Sequence, residues 1–169
     1  PSPKRFAAMY DESVFLQRLV EDLRTLSLAD ARELSMNYQH TQPAELIERL
    51  SSSFQHQANL AGVRLTAEVT PDLPSIHADP ERMLQALGNL VSNALRYTPG
   101  GGEIRLIANR EDDAVVLEVE DNGKGIAPEA LPHVFDRFYR ADESRSEGGS
   151  GLGLAIARSL VRLQGGIIT

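Results

Sequence analysis

The sequence predicts an α+β fold: a two-layer α/β sandwich with helices on one face of a mixed sheet, preceded by a long N-terminal helix. Three segments alternate apolar and polar residues with period two, namely VRLTAEV (63–69), EIRLIAN (103–109) and AVVLEVE (114–120). Helical stripes begin at Pro43, at Pro80 and at Leu152. The order is helix, strand, helix, hairpin, helix, and nothing repeats.

Residues 11 to about 36 read as one helix. Leu16, Leu19, Leu23 and Leu26 recur there at 3-4-3 spacing, a seam that needs a partner helix or the surface of its own domain. The next helix opens on Pro43, a favoured first position. Its stripe is Leu46, Ile47, Leu50, Phe54 and Ala61, with Gly62 as its stop. A strand over 63–69 and a turn at TPDLP follow. Asp79 then caps a helix whose first residue is Pro80. After Gly100-Gly101-Gly102, the turn REDD joins the two remaining strands as a hairpin. DNGKGI makes a glycine-rich turn, and a short helical stretch ends in HVFDRFYR. ADESRSEGGSG (141–151) is polar, lacks periodicity and reads as a mobile loop. The last helix, LGLAIARSLVRLQ, stops at Gly165.

The bulk properties narrow the function. A net charge of −7 over 169 residues speaks against nucleic acid or an anionic membrane surface as partner. The absence of cysteine excludes disulfides, thiolate metal sites and thiol catalysis. No apolar run approaches the roughly 18 residues of a membrane span. Both ends look cut, as expected of a piece of a longer protein.

Three motifs carry chemistry. In QALGNLVSNALRY (85–97), a helix advancing about 100° per residue puts Gln85, Asn89, Asn93 and Arg96 on one narrow stripe. Asn is a poor helix former, and solvated faces are usually charged, so neutral amides here suggest ligation. Amide oxygens can bind a hard cation such as Mg²⁺, and Arg neutralises phosphate. Asp121-Asn122-Gly123-Lys124-Gly125 fits an ordinary strand-ending turn, or a base-binding turn whose carboxylate accepts from an exocyclic amine. Gly149-Ser150-Gly151-Leu152-Gly153 bares backbone N–H groups before a helix, a natural phosphate site. It is neither a dinucleotide fingerprint nor a P-loop, since no strand precedes it and no Gly-Lys-Ser/Thr is present.

In this order the motifs resemble the ATP-binding catalytic domain of bacterial sensor histidine kinases, over nearly the whole chain. ADPERMLQALGNLVSNALRYTP is similar to the family's N box, DNGKGI to its G1 box, HVFDRFYRAD to its F box and GGSGLGLAIA to its G2 box. LQRLVEDLRTLSLAD resembles the second helix of the dimerisation hairpin. The resemblance implies a Bergerat-type fold that takes ATP and Mg²⁺. It divides the chain into the end of that hairpin with its linker (1–40) and the ATP-binding catalytic domain (41–169).

It also implies roles. Asn93 would ligate Mg²⁺, supported by Asn89. Arg96 would contact phosphate, Tyr97 would border adenine, and Asp121 would bind its N6. Gly123 and Gly125 would shape the turn, with Ile126 also at the nucleotide. Phe135 and Phe138 would anchor one end of a lid, and Arg140 would reach the γ-phosphate. Gly149, Gly151 and Gly153 would hinge the lid, with Ser150 and Leu152 between them at the ligand. Asn93, Arg96 and Arg140 are thus the expected catalytic residues. The implied partners are a second copy through the hairpin and a response regulator, with no nucleic acid and no membrane contact by this segment. The implied location is the cytoplasmic part of a membrane-anchored sensor.

One departure stands out. None of the four histidines, His40, His56, His77 and His133, lies in the His-acidic context of the family's phosphoacceptor box. His77 and His133 read as structural, the other two as surface residues. The expectation is therefore an ATP-binding part without its own phosphoacceptor. Two other readings are an ATPase of the same fold that works by nucleotide-driven closure, and a nucleotide-binding interaction module. The F box and the hairpin-like first helix favour the kinase.

Overall fold

The computed structural model describes residues 3–140 and 149–169. Helix α1 spans Pro3–Asp30, strand β1 Gln39–Thr41, helix α2 Pro43–Ala61, strand β2 Arg64–Val69 and strand β3 Ile76–Ala78. Helix α3 spans Pro80–Tyr97, β4 Glu103–Glu111, β5 Ala114–Asp121 and helix α4 Gly153–Leu163.

The main sheet is mixed. Central β4 pairs in parallel with β2, Leu65 opposite Ile104, and antiparallel with β5, Ile104 opposite Asp121. A two-residue turn closes the β4–β5 hairpin, with Asp112 in the left-handed region at φ 51°. Leu65, Ile104, Leu106 and Ala108 point inward against Ile47, Leu50, Leu87, Val91 and Leu95 of α2 and α3. On the opposite side Arg105 bridges Glu68 of β2 and Glu120 of β5, at 2.9 and 2.6 Å. One face is thus apolar and covered, the other charged, as the period-two pattern predicts.

A second apolar cluster holds the far side of α3. Ala86 there meets Leu152, Ala155, Ile156 and Leu160 of the α4 region, together with Leu26 of α1. Helix α3 is therefore buried on two flanks, leaving a stripe between them for other work.

Three helix ends share one design. At Gly62, φ 68°, the N–H groups of Gly62 and Val63 donate to Asn59 and Ala58 O. At Gly165, φ 76°, Gly165 and Gly166 do the same to Arg162 and Val161. Helix α1 ends the same way, but with Arg32 as the left-handed residue at φ 57°: Arg32 N–H reaches Ala29 O and Glu33 N–H reaches Leu28 O. That helix therefore stops at Asp30 rather than near residue 36, and it begins at Pro3 rather than residue 11. Its leucine seam divides. Leu26 is buried and Leu19 packs on α4, whereas Leu16 and Leu23 face solvent, as do Phe6, Tyr10 and Val20.

Two further departures have physical causes. Strands β1 and β3 form a separate two-stranded ribbon with His40 opposite His77. Three residues are too few to show a period. The helical stretch expected before Arg140 is only a 3-10 turn, Leu131–His133. Pro128 and Pro132 each lack an N–H, and Phe138 adopts φ 61°, incompatible with a continuing helix. Residues 141–148 of the loop expected there lie outside the described residues.

Candidate nucleotide site

Helix α3 starts as its sequence dictates. Asp79 Oδ1 accepts from the N–H groups of Glu81 and Arg82 at 3.0 and 3.1 Å, and Pro80 needs no donor. Asp79 Oδ2 takes Asn37 N–H at 2.7 Å and the Asp79 backbone N–H donates to Gln164 Oε1 at 2.8 Å, so one buried residue ties the linker, α3 and the end of α4 together. This fixes the pitch of α3 and points its amide stripe into a cleft of about 1600 Å³.

Asn89, Ser92, Asn93, Arg96 and Tyr97 line that cleft from α3. Gln85 does not, being held by Arg82 Nη1 at 3.1 Å. Across from α3 stand Gly149, Ser150, Gly151 and Gly153 at the start of α4, with Gly125, Ile126 and Arg140 on the remaining walls. Leu152, fully buried, supports the turn from beneath. Two glycines of the turn lie against the α3 stripe. A β-carbon on Gly149 would overlap the Arg96 guanidinium, and one on Gly153 would touch the Asn89 amide at 3.7 Å. The α3 stripe and the α4 turn thus face one another at contact distance. Leu152 N–H is held by Ser150 Oγ at 3.2 Å, and among the described residues no side chain caps α4, whose N-terminal donors lie at the glycine turn.

The turn after β5 is latched to the end of α3. Asp121 Oδ1 accepts from Gly123 N–H at 2.9 Å, and Lys124 N–H donates to Tyr97 O at 3.3 Å. A β-carbon on Gly123 would overlap Tyr97 O, and Gly125 adopts φ 71°. Asp121 itself is exposed and lies outside the lining of the main cleft, beside Glu103, Arg105, Glu120 and Asn122.

Phe135 and Phe138 both anchor the segment before residue 141, by different means. Arg158 of α4 donates to Phe135 O at 2.9 Å and covers its ring. Phe138 has an exposed ring; its N–H donates to Gly151 O at 3.0 Å, joining the two ends of the segment through backbone. Gly151, at φ 69°, permits this, since a β-carbon would stand 2.9 Å from Phe138 Cα. Lys124 also lines the cleft, its Nζ 4.9 Å from the Tyr97 ring centre. Its signal was present within DNGKGI, hidden among the turn residues. All four histidines are exposed: His77 stacks on Tyr38, and His133 bonds Asp136 at 2.9 Å.

The donor set suits a phosphate-bearing ligand and a hard cation. Arg96, Lys124 and Arg140 supply positive charge, and Asn89 and Asn93 supply neutral oxygens. Among the described residues no cluster of three or more His, Asp or Glu groups is arranged for a metal. A cation here would rest on amide and ligand oxygens.

A mixed sheet under helices, with an amide stripe facing a glycine turn, defines a nucleotide-binding sandwich. The chain belongs to the histidine kinase-, DNA gyrase B- and HSP90-like ATPase family, which residues 78–169 match. Within it, the chain is similar to a sensor protein and to histidine kinases of known structure. The chain is 38% identical over 164 residues to the sensor protein SrrB of Staphylococcus aureus, covering 96% of this chain but only 28% of that protein. It is similar in structure to the histidine kinase AdeS of Acinetobacter baumannii, with TM-score 0.79 and 28% identity over 96% of this chain and 75% of the other. Full-length ShkA, solved in complex with AMPPNP, gives TM-score 0.82 and 29% identity over 96% of this chain and 34% of that one. The chain is an ATP-binding catalytic domain of the sensor histidine kinase type, as the motifs implied.

Proposed function

We propose that this domain binds Mg²⁺-ATP and presents its γ-phosphate to a histidine on a dimerisation helix of the complete sensor, for relay to a response regulator. The observation that carries this is the meeting of Asn89, Asn93 and Arg96 with the Gly149–Gly153 turn in one cleft. Asn93, with Asn89 beside it, holds the cation. Arg96 and Arg140 neutralise phosphate oxygens, and the α4 N-terminus adds backbone donors. Tyr97, Ile126, Gly123 and Gly125 border the base, and Asp121 recognises its amine. Mg²⁺, when bound, neutralises phosphate charge and fixes the chain of phosphates for in-line displacement. The protein's own share is positioning. An imidazole nitrogen attacks the γ-phosphorus, the bond to the bridging oxygen breaks, and ADP leaves with that electron pair.

The exposed apolar residues of α1, Phe6, Tyr10, Leu16 and Val20, support pairing with another hairpin helix and with a second copy. The resemblance to sensor kinases supports a place for this segment on the cytoplasmic side of a membrane-anchored sensor; among the described residues no helix is long and apolar enough to cross a membrane. The experiment is incubation with γ-labelled ATP. The chain alone should stay unlabelled, and a longer protein carrying a His-acidic helix upstream should gain acid-labile label. Label on His40, His56, His77 or His133 would contradict the reading.

A further inference from the structure

We propose that α1 is a charge gate on the nucleotide cleft: docked on α4, it holds the Asp22 carboxylate beside the Ser150 turn and opposes entry of a nucleoside triphosphate. This rests on the nucleotide reading of the cleft given above.

Among the described lining residues of the cleft, α1 brings both carboxylates, Glu21 and Asp22, with one cation, Arg18, while Arg96, Lys124 and Arg140 come from the body of the domain. The body draws an anionic ligand in, and α1, with one carboxylate in excess, opposes it. Asp22 is half-buried and lines the cleft together with Ser150, in the turn that leads into α4. Helix N-termini favour anions, so a carboxylate from α1 and a phosphate compete for the same neighbourhood. Burial pushes the Asp22 carboxyl above its ordinary range, assisted by Glu21 and opposed by Ser150 and by Arg18 one turn earlier. The charge is therefore held there at a cost, and phosphates nearby would add to it.

Two attachments away from Asp22 keep the helix docked. Leu19 and Leu26 pack into the cluster of Leu152, Ile156 and Leu160. Past them, Asp30 at the helix end accepts from Arg137 Nη2 through both oxygens, at 2.7 and 2.6 Å. The cleft, at about 1600 Å³, exceeds the roughly 300–1,000 Å³ of common ligand sites. Room remains beside the docked helix, so the opposition is electrostatic. Linkage is reciprocal: nucleotide binding must in turn favour release of α1.

Calorimetry of Mg²⁺-ATP and of AMP with the 169-residue chain tests the gate. Asp22→Asn should tighten ATP binding by about fivefold or more, with little change for AMP, which lacks the terminal phosphates. Asp30→Asn, outside the cleft lining, should also tighten ATP by loosening the docking. The double variant should gain nothing over Asp22→Asn. Equal or weaker ATP binding by a folded Asp22→Asn protein overturns the gate, as does an equal gain for AMP or full additivity with Asp30→Asn. No nucleotide binding by any form, wild type included, overturns the nucleotide reading itself. Binding with unchanged affinities overturns the gate alone.

Discussion

The backbone of Gly149 lies so close to the Arg96 guanidinium that a β-carbon there would overlap Nη1. The last cation of the α3 stripe therefore lies against the backbone of a residue more than fifty places further along the chain. Gly149→Ala should displace Arg96 and weaken Mg²⁺-ATP binding about tenfold, the scale of one charge-assisted hydrogen bond. Calorimetry reads the affinity, and an unchanged circular dichroism spectrum shows that the fold is kept.

Gly151 serves structure rather than charge. Its φ of 69° and its approach to Phe138 leave no room for a side chain. Gly151→Ala should cost about 1–3 kcal/mol, read by urea denaturation. It should also break the Phe138–Gly151 link, so local hydrogen exchange at Phe138 should speed up more than global exchange.

The divided seam of α1 gives a contrast within one helix. Leu26, 2% exposed in the α1–α3–α4 cluster, should cost about 2–5 kcal/mol on replacement by Ala. Leu16, 53% exposed, should cost less than about 0.5 kcal/mol in the monomer. Equal losses would show that the described packing of α1 is wrong.

Asp22 gives a pH dependence of defined sign. Its carboxyl in the folded state titrates above 3.8, so the native state binds that proton more readily than the unfolded chain. The stabilisation is full below the unfolded value and is lost as pH rises through the raised one. Asp22→Asn stays neutral throughout. It should melt higher than the wild type near pH 7, and the difference should vanish below the ordinary carboxylate range. Thermal melts across that range check it.

Much of this was legible because residue chemistry and local geometry agreed. Gly62 and Gly165 end their helices in the left-handed conformation that glycine favours, so both stops could be read. Arg32 adopts the same conformation without the glycine signal, and the end of α1 was misplaced as a result. Asn89, Asn93 and Arg96 of the amide stripe line one cleft, because a helix converts spacing into direction. Asp121 sits on a turn, where spacing carries no direction, and its place outside the cleft lining was not readable. Nor were Arg18 and Asp22: their position depends on how α1 docks, a tertiary contact that no local pattern encodes.

The most direct measurement of the central claim is calorimetry of ATP and GTP, with and without Mg²⁺, on the wild type, Asn93→Ala and Asp121→Asn. Asn93 offers an amide oxygen from α3 and Asp121 a carboxylate on the turn after β5, so the two should fail differently. The account predicts that the wild type binds Mg²⁺-ATP in preference to GTP. Asn93→Ala should lose the part of the affinity that depends on Mg²⁺, and Asp121→Asn should lose discrimination between the bases. Unchanged affinity and selectivity in both variants, with the fold intact, would contradict the site.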